Sequence, residues 1–125
     1  MSNKIIKLNR GDSYEFTVAI PDKKDPYINY ILDEQNEVVY FALMEPHQHF
    51  EEALLIQGYT FEDQNKETGE LIVKLSPNDT RRLAPGVYYY TVKLRKGGSL
   101  DFINNYDEPD EVRTIIERTK FIINE

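Results

Sequence analysis

Two histidines stand two apart in the run Glu45-Pro46-His47-Gln48-His49-Phe50-Glu51-Glu52. On an extended segment both imidazoles point the same way, and the flanking carboxylates add oxygen ligands of the kind zinc accepts. A metal site needs three or four converging ligands, however, and His47 and His49 are the chain's 2 histidines, with 0 cysteines to help them. The run reads better as a solvated loop. Asp107-Glu108-Pro109-Asp110-Glu111 offers hard oxygens to calcium but lacks the alternating spacing and central glycine of an EF-hand loop. It reads as an acidic turn. No metal ion and no cofactor is assigned.

The inventory for catalysis is equally thin. A thiol nucleophile is excluded by composition. There is no Gly-x-Ser-x-Gly elbow and no glycine-rich phosphate loop. With 22 acidic residues, a carboxylate pair is compatible with almost any fold and is no signal by itself. The expectation is a protein that is not an enzyme. Arg10-Gly11-Asp12 reads as a turn, and Asn78-Asp79-Thr80, formally a glycosylation sequon, as part of a helix cap.

Charge narrows the partners. The net charge is −7, which opposes binding to a phosphate backbone, where clustered Lys and Arg are required. The acids are interleaved with Lys and Arg, so an acidic DNA-mimicking face is disfavoured too. The N-terminal Met1-Ser2-Asn3-Lys4-Ile5-Ile6 has neither the apolar stretch nor the cleavage site of a signal peptide. No apolar run approaches the roughly 20 residues of a membrane helix. Neither nucleic acid nor membrane is expected as a partner. Without cysteine the fold rests on packing, which fits assembly in a reducing compartment.

The elements that must position any site are strands. Ser13 to Ile20 alternates, with Tyr14, Phe16, Val18 and Ile20 on one face. Ile5 to Leu8 precedes it as a short strand. Val38 to Met44 is nearly unbroken apolar sequence, as in a strand buried on both sides. Ala53 to Phe61 is the next strand, Glu62 to Gly69 a polar connection, and Glu70 to Leu75 a hairpin partner with Leu71, Val73 and Leu75 on one face. Tyr27 to Leu32 reads as an extended piece. Ser76-Pro77-Asn78-Asp79 starts a short helical turn, because Ser caps, Pro suits the first position and Asp79 closes a capping box.

Pro85-Gly86 ends that turn and leads into Val87 to Arg95, the strongest strand, with Tyr88, Tyr90, Val92 and Leu94 sharing a face. Leu100 to Asp110 is a loop. Val112 to Ile116 and Phe121 to Ile123 close the chain, and the apolar phase shifts between them, so a bulge is expected near Glu117 to Lys120. About seven short strands predict one domain over residues 1–125, an all-β, immunoglobulin-like antiparallel sandwich with one short helical turn.

Pro85, Gly86 and Tyr88 form the structural corner of that reading. In immunoglobulin-like domains a tyrosine hydroxyl at this place bonds back to the preceding loop and pins the crossover between sheets. The opening Arg10-Gly11-Asp12-x-Tyr14-x-Phe16-x-Val18, the middle from Leu71 to Tyr90 and the closing Thr114 to Ile123 resemble small immunoglobulin-like proteins of tailed bacteriophages and prophages. The same segments resemble the N-terminal domains of phage baseplate upper proteins. The resemblance implies a virion structural protein, assembled in the bacterial cytoplasm, that docks to other phage structural proteins or to further copies of itself.

Nine tyrosines and 6 phenylalanines also allow a sugar-stacking platform, which is the alternative function, a carbohydrate-binding β-sandwich module. Tyr27, Tyr30, Phe102 and Tyr106 are the aromatics to suspect of contacting a partner. In the sandwich reading, the loop after Ile20 and the loop after Arg95 emerge at the same end and build one surface.

Overall fold

The computed structural model of the chain describes residues 4–97 and 111–125. Seven strands carry the fold: β1 (Ile6–Asn9), β2 (Tyr14–Ala19), β3 (Glu37–Met44), β4 (Leu55–Tyr59), β5 (Glu70–Leu75), β6 (Gly86–Lys96) and β7 (Glu111–Asn124). One helical turn, α1, spans Pro77–Arg81 between β5 and β6. A five-stranded sheet, in the order β1-β7-β6-β3-β4, stacks on a two-stranded sheet of β2 and β5. This is the expected all-β sandwich. The sequence reading needs two amendments: β1 runs parallel to β7, and 3-10 turns at Phe50–Glu52 and Phe61–Asp63 accompany α1.

The core lies where the alternating faces meet. Phe16, Phe41 and Tyr90 form a triangle of rings, each pair 5.9 Å apart between centroids, and Phe121 packs edge-on to Tyr90 at 6.3 Å. Such tilted and edge-to-face contacts suit the ring quadrupole better than face-on stacking does. Val18, Leu71 and Val73 from the small sheet, with Ile20 just past the end of β2, pack in one core with Val39, Leu43, Val92 and Ile123 from the large one. All eight residues of β3 are buried, as its unbroken apolar run requires. Its outward Tyr40 is covered by Phe50, 6.4 Å away edge-on.

Glu70 to Leu75 does not form a hairpin with the strand before it. β5 pairs antiparallel with β2, with Leu75 opposite Tyr14 and Leu71 opposite Val18. Two features turn the chain across to the other sheet. Asp63 accepts from the Thr60 backbone N–H at 2.8 Å, closing the 3-10 turn. Gln64 is buried, and its side chain accepts from the Leu32 N–H and donates to the carbonyls of Tyr30 and Gly69. The Tyr59 hydroxyl accepts from the Lys74 N–H at 3.1 Å, so β4 touches β5 through a side chain and not through a ladder.

Two other readings are made definite. Tyr27 to Leu32 is not a strand: it closes a loop by one bridge, Asn29 to Pro21, and ends in buried Leu32. The last strand is continuous from Glu111 to Asn124 and not split. Its pairing with β6 slips twice, between Tyr90 and Val92 and again between Val92 and Lys93. The first slip leaves Glu117 and Arg118 as the doubled pair, within the segment where the phase shift places a bulge. The Leu100 to Asp110 loop lies outside the described residues.

α1 is built as its sequence dictates. Ser76 Oγ accepts from the Asp79 N–H at 3.2 Å, and the Asp79 carboxylate accepts from the Ser76 N–H at 2.8 Å. Thr80, fully buried, accepts from the Gly11 N–H at 3.1 Å and donates to the Asp12 carbonyl at 2.8 Å. The Arg10-Gly11-Asp12 turn is thereby fixed to α1, with Gly11 at φ +89°, a conformation that favours glycine.

Candidate functional site

The loop from residue 21 to 36 crosses one end of the sandwich, beside the last residues of β6 and the first of β7. Its shape is set by short polar side chains acting on their own backbone. Asp22 accepts from the Lys24 N–H at 2.8 Å, and Asp25 accepts from the Tyr27 N–H at 3.1 Å. Backbone bonds from Asp22 to Ile28 (2.9 Å) and from Tyr30 to Ile20 (2.7 Å) close it. These are the turn geometries that Asp favours.

Side chains then fasten the loop to both sheets. Glu37, buried at the head of β3, accepts from the Tyr30 hydroxyl and from the Asp33 N–H through the same oxygen, each at 2.6 Å. The Arg113 guanidinium donates to the Pro21 carbonyl at 2.6 Å. Asn29 donates to the Thr68 carbonyl at 2.8 Å. Lys23 pairs with Glu111, and the Gly97 N–H donates to the Asn36 carbonyl at 2.9 Å. Burial raises the Tyr30 phenol well above its ordinary pKa, and the hydrogen bond and charge of Glu37 raise it further. The Glu111 carboxyl is held below its ordinary value, first by the Lys23 hydrogen bond. A cleft of about 330 Å³ opens here, lined by Asp22, Lys23, Lys24, Tyr30, Glu37 and Arg113 among others.

On this fastened base the apolar tip is bare. Tyr27 is 97% exposed, Ile28 56% and Ile31 37%. Val112, at the start of β7, is 50% exposed. Tyr30 is not available as a contact ring in the way its sequence position suggests, because it is half-buried and its hydroxyl is committed to Glu37. Phe102 and Tyr106 lie outside the described residues. Sequence reasoning missed Ile28, Ile31 and the anchors Glu37, Gln64 and Arg113. The aspartates at 22 and 25 were the available signal that this segment folds on itself.

At the structural corner, the Tyr88 hydroxyl donates to the Ala84 carbonyl at 2.6 Å, four residues upstream and just before Pro85 and Gly86. Burial raises the Tyr88 phenol's pKa. Tyr90 reaches through the core and donates to the Lys4 carbonyl, tying β6 to the segment before β1.

The two histidines sit elsewhere, on a flap folded against the outer face of the large sheet. Arg118, presented by the β7 bulge, donates to the carbonyls of Glu45 (3.0 Å), Pro46 (2.7 Å) and Gln48 (2.8 Å). Its guanidinium also lies over the Tyr89 ring at 5.1 Å. His47 is exposed, 3.5 Å from a Glu45 oxygen, and His49 caps the Phe50–Glu52 turn through its backbone. Among the described residues no three His, Cys, Asp or Glu side chains converge as metal ligands. Residues 107–110 of the acidic run lie outside the described residues, and Glu111 is engaged by Lys23. No described helix is long and apolar enough to cross a membrane.

Comparison with known proteins adds no relative: no family model, no curated protein and no solved structure matches this chain.

Proposed function

We propose that the chain is a non-enzymatic structural and assembly protein of a bacteriophage or prophage tail, of the baseplate type, acting through protein–protein contacts. One observation carries the docking role. Tyr27, almost entirely exposed, stands with Ile28 and Ile31 on a loop whose base is held by Glu37, Gln64, Arg113 and Asn29. A large ring on a pre-ordered loop makes contact area with little conformational entropy left to lose, which is how interface anchors work. Charged Asp22, Lys23, Lys24 and Glu111 line the cleft at the base of the same loop and suit the polar rim of a protein interface. The phage assignment rests on the sequence resemblance.

The test is co-expression with the proteins encoded beside it, followed by co-purification. A stable complex with a tail or fibre protein is expected. Tyr27→Ala should weaken it by about tenfold or more while leaving the melting temperature unchanged, since an exposed ring contributes little to folding. A Tyr27→Ala chain that binds as tightly as the parent overturns the loop-end reading. The same exposed ring gives the carbohydrate-binding alternative its support, because a bare tyrosine beside polar groups is able to stack on a sugar. Binding on a glycan array that Tyr27→Ala abolishes decides for that reading.

A further inference from the structure

Away from the loop end and from the flap of residues 45–52, the part of the large sheet's outer face left uncovered and the outer face of the small sheet carry different chemistry. On the large sheet, strand pairing sets Lys7 of β1, Ile122 of β7 and Val87 of β6 in one row. The adjacent row places Lys120 beside Tyr89. Ile5, one residue ahead of β1, continues the outward alternation of Lys7 and is 51% exposed, and Val87 is 45% exposed. Neither row contains a carboxylate. On the small sheet the outward rows are Glu15 opposite Lys74, Thr17 opposite Ile72, and Ala19 opposite Glu70. Ile72 is 45% exposed at the centre of that face, and Asp63 borders the same hollow.

We propose that these faces dock on each other between successive copies of this chain, the lysine-bearing face of one on the glutamate-bearing face of the next. Val87 and Ile122 cover Ile72 at the centre, while Lys7 and Lys120 meet Glu15 and Glu70 around it. The two faces look outward on opposite sides of one sandwich. The contact is therefore heterologous, and a copy engaged through one face keeps the other open for a further copy. The small sheet offers a patch only two strands wide, so each contact is weak and depends on concentration. The net charge of −7 opposes approach of two copies. At about 0.1 M salt a screening length of about 10 Å damps that repulsion between centres but leaves charges in contact little affected.

Sedimentation velocity on the full chain tests this, in about 0.1 M salt and at concentrations up to about 1 mM. The parent should sediment faster as concentration rises, without levelling at a dimer. Lys7→Glu with Lys120→Glu gives a chain with two acidic faces, and Glu15→Lys with Glu70→Lys one with two basic faces. All four positions are exposed, so both chains should keep the parent's cooperative melt. Each alone should associate at least about tenfold more weakly than the parent. An equimolar mixture should regain association, because every acidic face then finds a basic one. A parent that stays monomeric throughout overturns the proposal. So does either double variant that associates like the parent, since the contact then uses one face twice or the loop end. A mixture of two folded variants that stays monomeric overturns it as well.

Discussion

Tyr88 and Tyr90 occupy one face of one strand, and their hydroxyls do different work. Tyr88 closes the corner on Ala84, whereas Tyr90 spans the core to Lys4. Removing the Tyr88 hydroxyl leaves the ring packed and the Ala84 carbonyl within reach of water. Tyr88→Phe should cost about 1 kcal/mol in urea denaturation with an unchanged m-value. A loss near zero would mean the corner bond is idle. The buried phenols also make an alkaline prediction. Burial lifts the pKa of Tyr30, Tyr59, Tyr88 and Tyr90 above the ordinary phenol value of about 10. A group whose native pKa is raised keeps its proton after the unfolded chain has lost it. The stability it contributes is whole below about pH 10 and falls as the pH climbs through the native value. Absorbance titration should show incomplete tyrosine ionisation at about pH 10.5 in the native protein, against all 9 phenols titrating together near pH 10 in urea. Superimposable curves would refute the burial argument.

At the scale of elements, the bulge in β7 is the device that holds the flap. Slipping the register between Tyr90 and Val92 doubles Glu117 with Arg118 and sends the guanidinium across to three carbonyls of residues 45–48. Arg118→Ala should cost about 1 kcal/mol, the low end for a charged donor because the group is exposed. It should also speed amide exchange in the Phe50–Glu52 turn and leave β3 protected. Uniform loss of protection would show that the flap is not an independent unit. Alternation made much of the element layer legible. Tyr14, Phe16 and Val18, and Leu71, Val73 and Leu75, declare their faces at sight, and Ser76-Pro77-Asn78-Asp79 declares its cap. Pairing was less legible, because alternation names the face of a strand but not its neighbour. Glu70–Leu75 suits β4 or β2 equally by pattern, and the choice is made by buried Gln64, a polar residue in a segment that looks solvated. For the same reason Tyr30 looked like a surface ring: nothing in the sequence marks Glu37 as its partner until β3 buries that carboxylate.

Over the whole molecule, the parallel pairing of β1 with β7 joins residues from opposite ends of the chain. Ile6 lies opposite Phe121 and Leu8 opposite Ile123, in a register that covers the outer edge of the strand carrying the bulge. Ile6 and Leu8 are both core residues, and the Lys4 carbonyl just before them takes the buried Tyr90 hydroxyl. Deleting residues 1–9 should therefore do more than trim an edge. Two buried aliphatic side chains account for about 3–6 kcal/mol of burial. The Tyr90 hydroxyl would lose its acceptor inside the core, adding a further cost of about 1–3 kcal/mol. Together these approach the whole stability of an ordinary domain, about 5–15 kcal/mol. The deletion would also bare the ladder groups of β7, a template for pairing with other chains. The shortened chain should lose most of its denaturant resistance and scatter light on warming before its strand signal is lost. A shortened chain that melts at the parent's temperature and stays clear would mean that β7 and its neighbours close the core without β1.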